Sequence, residues 1–332
     1  MPRPIILFTD SWSDWSLERL AAAAADAGYQ GLEISCRGAA LDTRRALADS
    51  DYCPKILETL ARYDLSAPVV NNQGVGQAIC DRIDHRHQAI VPDHVWADGN
   101  PLGVSNRAAQ EMMTTARMAQ KLGAATVAGF TGSSIWSFVS GYPNLSTGTL
   151  REALKDFVRR WNPILDVFGE SGVKFACKVG PGQLAFDRWS AQMVLDALDA
   201  RQEFGFLFDP SQLHWQGVDP AEFLRHFPDR IYHVHIKDLR VNLSGSTSLL
   251  NSYLPPGDPR RGWDYRSPGH GGIDWESVIR ALNQIGYDGP LSVDWEDAGM
   301  RREHGIVDAR KFVSQLDFEG PAIARDAIFE PD

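Results

Sequence analysis

The chain has 332 residues, 43% of them hydrophobic and 23% charged, which is ordinary for a globular protein and sufficient for a substantial core. The formal net charge of −10 disfavours a surface for nucleic-acid backbones and favours a small-molecule substrate. Four cysteines without metal-binding or redox spacing predict reduced thiols and a cytoplasmic location, and the lack of a long apolar run predicts no membrane association.

Short apolar runs alternate along the chain with amphipathic helical patterns. The runs that predict strands are residues 4–8, 31–35, 66–70, 125–130, 173–178, 205–209, 231–236 and 290–295. The patterns that predict helices are residues 16–27, 54–63, 105–122, 149–169, 190–200, 220–227 and 274–285. Strands joined by crossover helices form a parallel sheet, and eight such units predict one (β/α)₈ barrel domain over residues 1–332. A doubly wound open sheet is the alternative, but no Gly-rich phosphate loop follows the first strand.

Two connections are much longer than the others. They cover residues 71–104 and residues 237–273, and both would lie at the carboxyl-terminal face of a barrel. Long irregular connections in a compact domain are usually functional, so we expect both to contribute to an active site. The tail, residues 317–332, is expected to pack across the barrel exterior.

Polar side chains end five of the predicted strands. They are Glu33, Lys178, Asp209, His235 and Glu296. In a barrel these ends share one pocket, and buried charges are costly unless they are paired, so the set predicts the functional pocket. Asp209, His235 and Glu296 have the chemistry of three divalent-metal ligands, whereas the ammonium of Lys178 cannot ligate a metal and would repel one.

Five motifs, spread over nearly the whole length, resemble the sugar phosphate isomerase/epimerase family of xylose isomerase-like TIM barrels. They are residues 129–136 (GFTGSSIW), 208–211 (FDPS), 233–238 (HVHIKD), 257–263 (GDPRRGW) and 294–297 (DWED). The resemblance implies that Asp209, His235 and Glu296 match ligands of Mn²⁺, Mg²⁺ or Co²⁺. It also implies that Glu296 moves protons beside a sugar carbonyl.

The chain departs from that family at the pocket. Lys178 and Gly180 stand in K-V-G-P where the family has E-V-H-P, and Gln212 replaces the histidine of D-P-S-H. Residues 71–74 read NNQG in place of S-N-H-L, and residues 36–40 read CRGAA in place of C-W-G-D-H. We interpret this as a repurposed barrel with an engineered active site that works without a metal cofactor.

The first functional hypothesis is Schiff-base chemistry on Lys178. Desolvation would lower the pKa of its amine, and a neutral amine adds to a carbonyl, as a retro-aldolase requires. Gly74 and Gly180 would open space for a bulky substrate, while Gln73 and Gln212 would hold a water that shuttles a proton. A metal-dependent sugar isomerase or epimerase is the alternative, and a barrel that binds a small ligand without catalysis is the third. The alternative roles for Lys178 are an unreactive cation that neutralises Asp209 and Glu296 in place of a lost metal, and a side chain swung aside from a metal site that survives.

The remaining candidates each have a functional and a structural interpretation. Glu33 is a substrate contact or the partner of a neighbouring cation. Arg266 and His270 bind substrate oxygens or are solvated loop charges, and Trp136 walls the pocket or packs a loop. His233 is expected to point away from the pocket, toward the helices. We expect a small carbonyl or sugar substrate as the partner, and the resemblance implies a homo-oligomer.

Overall fold

Eight parallel strands close into a barrel in the computed structural model, which describes residues 2–250 and 253–320. This confirms the predicted fold. The barrel strands are β1 (Ile5–Phe8), β2 (Gly31–Ser35), β3 (Ser66–Asn71), β4 (Thr126–Gly129), β5 (Lys174–Lys178), β6 (Phe204–Phe208), β7 (Ile231–Ile236) and β10 (Leu291–Val293). Neighbouring barrel strands follow chain order, and β10 closes the barrel between β7 and β1. An antiparallel hairpin of β8 (Asp238–Val241) and β9 (Trp263–Arg266) lies outside the barrel sheet.

Helices surround the barrel and include all seven that the sequence predicts. They are α1 (Leu17–Asp26), α2 (Thr43–Ala48), α3 (Tyr52–Ala61), α4 (Gln73–Cys80), α5 (Asp93–Trp96), α6 (Pro101–Leu122), α7 (Thr147–Glu170), α8 (Arg188–Ala197), α9 (Pro210–His214), α10 (Pro220–His226), α11 (Trp275–Gln284) and α12 (Arg302–Leu316). Their ends follow local chemistry. Ser16 accepts a hydrogen bond from the Arg19 amide at the start of α1, and Gly123 ends α6 with a left-handed φ of 70°. None of the described helices is long and apolar enough to cross a bilayer.

The two long connections contain regular structure that the sequence analysis did not predict. Residues 71–104 hold α4 and α5, and residues 237–273 hold the hairpin, apart from residues 251–252, which lie outside the described part. In α4, Gly76 allows the helix to approach the β4–α7 connection, because a Cβ there would lie 2.0 Å from the Phe130 carbonyl oxygen. Most of the predicted exterior tail, residues 321–332, falls outside the described residues.

The interior of the barrel is apolar at one level and ionisable at the next. The apolar interior residues are Ile6, Val69, Ala128, Ala176 and Leu207. The polar interior residues, none more than 5% exposed, are Glu33, Asn71, Lys178, Asp209, His233, His235, Ser292 and Asp294. Because these side chains lie at or just beyond the carboxyl ends of the strands, the fold gathers them into one place.

Candidate functional site

The ammonium of Lys178 lies at the centre of the polar interior. Its Nζ is 2.8 Å from Asp209 Oδ2, 2.8 Å from Asp294 Oδ2 and 3.3 Å from His235 Nδ1. Asp209 caps α9, and its Oδ1 accepts hydrogen bonds from the Ser211 amide and hydroxyl. Its Oδ2 receives no aligned hydrogen bond from the described residues, so its contact with Lys178 is an ion pair.

A second ammonium, that of Lys237, lies beside the first. Its Nζ donates to Asp294 Oδ1 at 3.1 Å and to Glu296 Oε2 at 2.9 Å. It also lies 4.3 Å from the centroid of the Tyr265 ring, a favourable cation–π distance. We define the lysine cluster as these two ammonium groups with the acids and imidazole they contact. Its members are Lys178, Lys237, Asp209, Asp294, Glu296 and His235.

Beneath the lysine cluster, the Glu33 carboxylate joins two imidazoles. Its oxygens lie 2.8 Å from His233 Nε2 and 2.9 Å from His235 Nε2. The Asn71 amide and the Ser292 hydroxyl donate to the same carboxylate at 2.7 and 2.6 Å. Glu33 is therefore fully buried, and its partners are imidazole, amide and hydroxyl groups in place of the lysine or arginine that the structural interpretation expected.

The expectation that His233 points toward the helices is wrong. His233 lies inside the barrel, 0% exposed, with its Nε2 on Glu33. Residues two positions apart on a strand share a face, so His233 and His235 must point the same way.

Both lysines of the cluster are held as cations. Burial alone would lower the pKa of Lys178, but the carboxylates of Asp209 and Asp294 outweigh it and raise that pKa above its ordinary value. The pKa of Lys237 is likewise raised despite burial, through Asp294 and Glu296. Burial opposes ionisation of Asp294, yet the two ammonium groups hold the pKa of its carboxyl well below its ordinary value. The two ammonium groups and the Asp294 carboxylate are therefore ionised and compensate one another's charge.

The raised pKa of Lys178 predicts a flat pH dependence. A group whose pKa is raised on folding contributes its full stabilisation below its unfolded pKa, and loses it as pH rises through the higher folded pKa. The difference in free energy of unfolding between the wild type and Lys178→Met should therefore stay constant from about pH 7 to about pH 10. A neutral amine would instead make the wild type gain stability with pH over that interval. Urea unfolding at several pH values distinguishes the two.

Two groups of side chains have the ligand chemistry of a metal site. Each has donor atoms within 4.8 Å of one another; they are Glu33 with His233 and His235, and Asp209 with His235 and Asp294. In the first group the carboxylate oxygens already accept four hydrogen bonds. In the second, the Lys178 ammonium lies against both carboxylates, where a bound cation would have to lie. The second group therefore does not fit a divalent metal while Lys178 is protonated, whereas in the first group two of the four hydrogen bonds involve the imidazoles that would be the other ligands.

The eighth barrel strand supplies Asp294, not Glu296, to the potential ligand set, which corrects the predicted assignment. Asp294 directly follows β10 and is 5% exposed, whereas the Glu296 side chain is 47% exposed and contacts only the second ammonium of the cluster. Sequence reasoning also missed Lys237. The alternation of side chains along a strand would have placed Asp294 and Lys237 in the barrel interior. Positions 292, 294 and 296 share a face, as do positions 233, 235 and 237.

The two glycines that were predicted to open the pocket lie close against neighbouring atoms of the protein. A Cβ at Gly74 would lie 2.0 Å from the Ile90 carbonyl oxygen, and one at Gly180 would lie 2.8 Å from the Gln212 Cβ. These glycines allow the close approach of neighbouring atoms, and Gly74 also lines a cavity among the segments that follow β2 and β3. Gln212 donates to the Tyr265 hydroxyl at 2.7 Å, while Gln73 donates to Asp10 at 3.4 Å, so the two amides have separate partners.

Three further candidates lie against other partners. Trp136 packs its ring edge-on against Phe186, with centroids 5.5 Å apart. Arg266 lies 3.8 Å from Asp297, and the half-exposed His270 lies 3.0 Å from Asp308 of α12. Within residues 2–250 and 253–320, the structure gives none of the three a hydrogen bond or ion pair with the lysine cluster.

Two cavities adjoin at the carboxyl ends of the barrel strands. The Glu296 cavity, of 470 Å³, is lined by Glu296 and Tyr265, which both contact Lys237. The His94 cavity, of 510 Å³, lies among the segments that follow β2 and β3 and is lined by His94 and Gln73. Asp10 and Arg37 line both cavities, which places the cavities side by side.

Comparison with known proteins identifies related chains. A family model described as xylose isomerase-like TIM barrel matches residues 21–316. The uncharacterized protein YfiH of Bacillus subtilis is 31% identical over 178 residues, covering 49% of this chain and 57% of that protein. Inosose dehydratase of Clostridium botulinum (strain Eklund 17B) is 33% identical over 90 residues, covering 27% of this chain and 30% of the relative. The matched stretches thus span 57% of the first relative and 30% of the second.

A solved structure shows the same fold. The IOLI protein with a bound zinc atom superposes with a TM-score of 0.65 at 18% identity, covering 95% of this chain and 98% of that one.

Proposed function

Because the chain belongs to the xylose isomerase-like TIM barrel family, whose related chains include inosose dehydratase, we propose that it catalyses proton transfer beside the carbonyl of a sugar or a cyclic polyol ketone. Isomerisation, epimerisation and loss of water from a hydroxyketone all begin with this step. The observation that carries the proposal is that Glu296 lines a cavity and its carboxylate pairs with the buried Lys237 ammonium at 2.9 Å.

Glu296 is the proposed base. Its carboxylate is half-exposed at the cavity, in contrast to the buried carboxylates of Asp209 and Asp294. The substrate C–H bond breaks, the proton moves to Glu296, and the electron pair moves to the carbonyl oxygen as an enolate. In an isomerisation the neighbouring hydroxyl proton moves to the enolate oxygen and Glu296 returns its proton to the former carbonyl carbon. In an epimerisation the enolate carbon takes a proton from water on the opposite face. In a dehydration the β C–O bond breaks, the carbonyl re-forms and the hydroxyl leaves with the proton as water. The three outcomes are an isomer, an epimer and a dehydration product.

Lys237 is the proposed stabiliser of the enolate. An ammonium fixed in a poorly solvated site stabilises developing negative charge more strongly than it would in water. The raised pKa of Lys237 keeps it cationic for this purpose. Lys178 contributes as a positioning residue, because its ion pairs hold Asp294, which in turn holds Lys237. Positive charge that other enzymes of this chemistry draw from a metal would come here from two side chains.

The Schiff-base reaction predicted from the sequence finds no support in this arrangement. It requires a neutral amine, whereas the two carboxylates at 2.8 Å raise the pKa of Lys178. At Asp209, His235 and Asp294, the metal alternative would require the Lys178 ammonium to leave its carboxylates before a metal could bind.

Solvent deuterium exchange tests the proposal. The chelator-treated protein is incubated in D₂O with ketoses, aldoses and an inosose, and proton NMR follows deuterium entering the carbon beside the carbonyl. We expect exchange that the chelator does not suppress, and a loss of about 10²- to 10⁴-fold in Glu296→Gln. The matched control is Glu276→Gln, an exposed glutamate of α11.

Three results would contradict the proposal in different ways. Exchange that stops with chelator and returns with Mn²⁺ would establish the metal-dependent reaction. Binding of these compounds without any exchange would indicate a ligand-binding barrel. A borohydride-trapped substrate adduct on Lys178 would establish Schiff-base chemistry.

A further inference from the structure

The His94 cavity is lined by an imidazole that contacts a buried carboxylate and has no part in the proposed reaction. His94 Nε2 lies 2.9 Å from Glu111 Oε2, and the His94 side chain is 33% exposed. Glu111 is buried, at 5% exposure, and its other carboxylate oxygen accepts a hydrogen bond from the Thr43 hydroxyl. A buried carboxylate thus fixes the orientation of an imidazole on a cavity wall, which is how proteins hold a histidine for ligand contact.

The polar lining of the His94 cavity continues toward the Glu296 cavity. Gln73 lines the former and donates to Asp10 at 3.4 Å, and Asp10 lines both cavities. Arg37, which pairs with Asp10 at 3.3 Å, also lines both, and its side chain is 53% exposed. Polar side chains therefore line both cavities, and Asp10 and Arg37 are shared between them.

The two cavities together are larger than a single sugar ring requires. Their volumes are 470 and 510 Å³, and each alone is within the range of about 300–1,000 Å³ typical of small-molecule sites. The His94 cavity also presents apolar surface, from Ile90 and Phe130, beside its polar groups. Mixed polar and apolar walls suit a ring that carries hydroxyl groups on its edge and C–H groups on its faces.

We propose that the substrate has two rings, as a glycoside does. The reacting ring would lie against Glu296, whose carboxylate contacts Lys237, and the second ring would occupy the His94 cavity with His94 as a hydrogen-bonding partner. Glu111 is then a positioning residue that acts through His94. This inference rests on the proposed function, because it assigns the reacting ring to the Glu296 cavity.

Matched one-ring and two-ring sugars test the inference by calorimetric titration. The probes are D-fructose against isomaltulose, and D-glucose against cellobiose and maltose. At least one two-ring sugar should bind about tenfold more tightly than its one-ring part, as one good hydrogen bond to a fixed group provides. In His94→Ala that affinity ratio should fall toward one. The control is His85→Ala, an exposed histidine of the same connection, which should keep the ratio.

Two substitutions at Glu111 separate positioning from a general structural role. Glu111→Gln retains a side-chain carbonyl that can accept from His94, so it should keep more of the ratio than Glu111→Ala at equal thermal stability. The inference is overturned if no two-ring sugar binds more tightly than its one-ring component. It is also overturned if the difference in affinity persists in His94→Ala. If deuterium exchange is observed but two-ring sugars bind no more tightly than one-ring sugars, only the proposal of a two-ring substrate is overturned. A gain without exchange would overturn the proposed reaction and leave the binding site in place.

Discussion

Replacing Lys178 with glutamate is expected to give the chain a divalent-metal site. The change exchanges an ammonium for a carboxylate beside Asp209, His235 and Asp294, whose donor atoms already lie within 4.8 Å of one another. Three carboxylates and an imidazole suit ions such as Mn²⁺ and Co²⁺. Without metal, the crowded carboxylates should make the variant less stable than the wild type by more than about 3 kcal/mol. Metal at a hundred times its dissociation constant should raise the free energy of unfolding of the variant by about 2.7 kcal/mol.

Calorimetric titration and thermal unfolding, each with and without Mn²⁺, measure this gain. Lys178→Gln is the control that removes the ammonium without adding a carboxylate, and Lys178→Glu combined with His235→Asn removes one ligand. Both controls should bind much more weakly than Lys178→Glu. If the wild type bound one equivalent of Mn²⁺ as tightly as Lys178→Glu does, Lys178 would not exclude the metal.

Lys178→Met should destabilise the fold by about 3–5 kcal/mol, because removing one partner of a buried ion pair leaves the other charge uncompensated. Asp209 would lose its cation altogether, while Asp294 would retain the Lys237 ammonium at 3.1 Å. The loss should be smaller at mildly acidic pH, where protonation of a carboxyl group removes the unpaired charge. Urea unfolding at two pH values measures both effects.

The surface pair of Lys55 and Asp51 provides the matched control. Lys55 is 69% exposed and 3.8 Å from Asp51, so Lys55→Met should cost less than about 1 kcal/mol. Adding Asp209→Asn to Lys178→Met should recover part of the loss, because the second change removes the orphaned charge. Equal costs for the two lysines, or no recovery in the double variant, would contradict the ion-pair account.

The barrel could be predicted from the sequence because buried parallel strands appear as apolar runs and their helices as amphipathic patterns. The predicted run 173–178 and the observed strand Lys174–Lys178 illustrate the agreement. Helix α4 was missed because Gly74 and Gly76 resemble loop residues, although they serve close packing in a helix. The hairpin was missed because its alternating charged residues have no apolar run.

Part of the ionisable interior could be predicted from the sequence, whereas Asp294 and Lys237 were missed. Polar residues at strand ends correctly marked where the ionisable interior lies, but the level at which each side chain lies depends on strand parity and register. Glu296 was taken for a ligand when Asp294 occupies that position. The charge state of Lys178 depends on two carboxylates 31 and 116 positions away in the chain, which no local pattern reveals. The engineered origin inferred from the altered motifs stays a prediction.

The protonation state of Lys178 tests the central claim most directly, since a permanent internal cation excludes both a Schiff base and a metal at this position. The chain has seven lysines, so their ¹³Cε and ¹⁵Nζ NMR signals can be resolved, and Lys178→Arg assigns the signal of interest. We predict that this signal does not titrate below about pH 10.5, the ordinary pKa of a lysine. A titration midpoint near neutral pH would contradict the account and return the neutral amine of Lys178 to consideration.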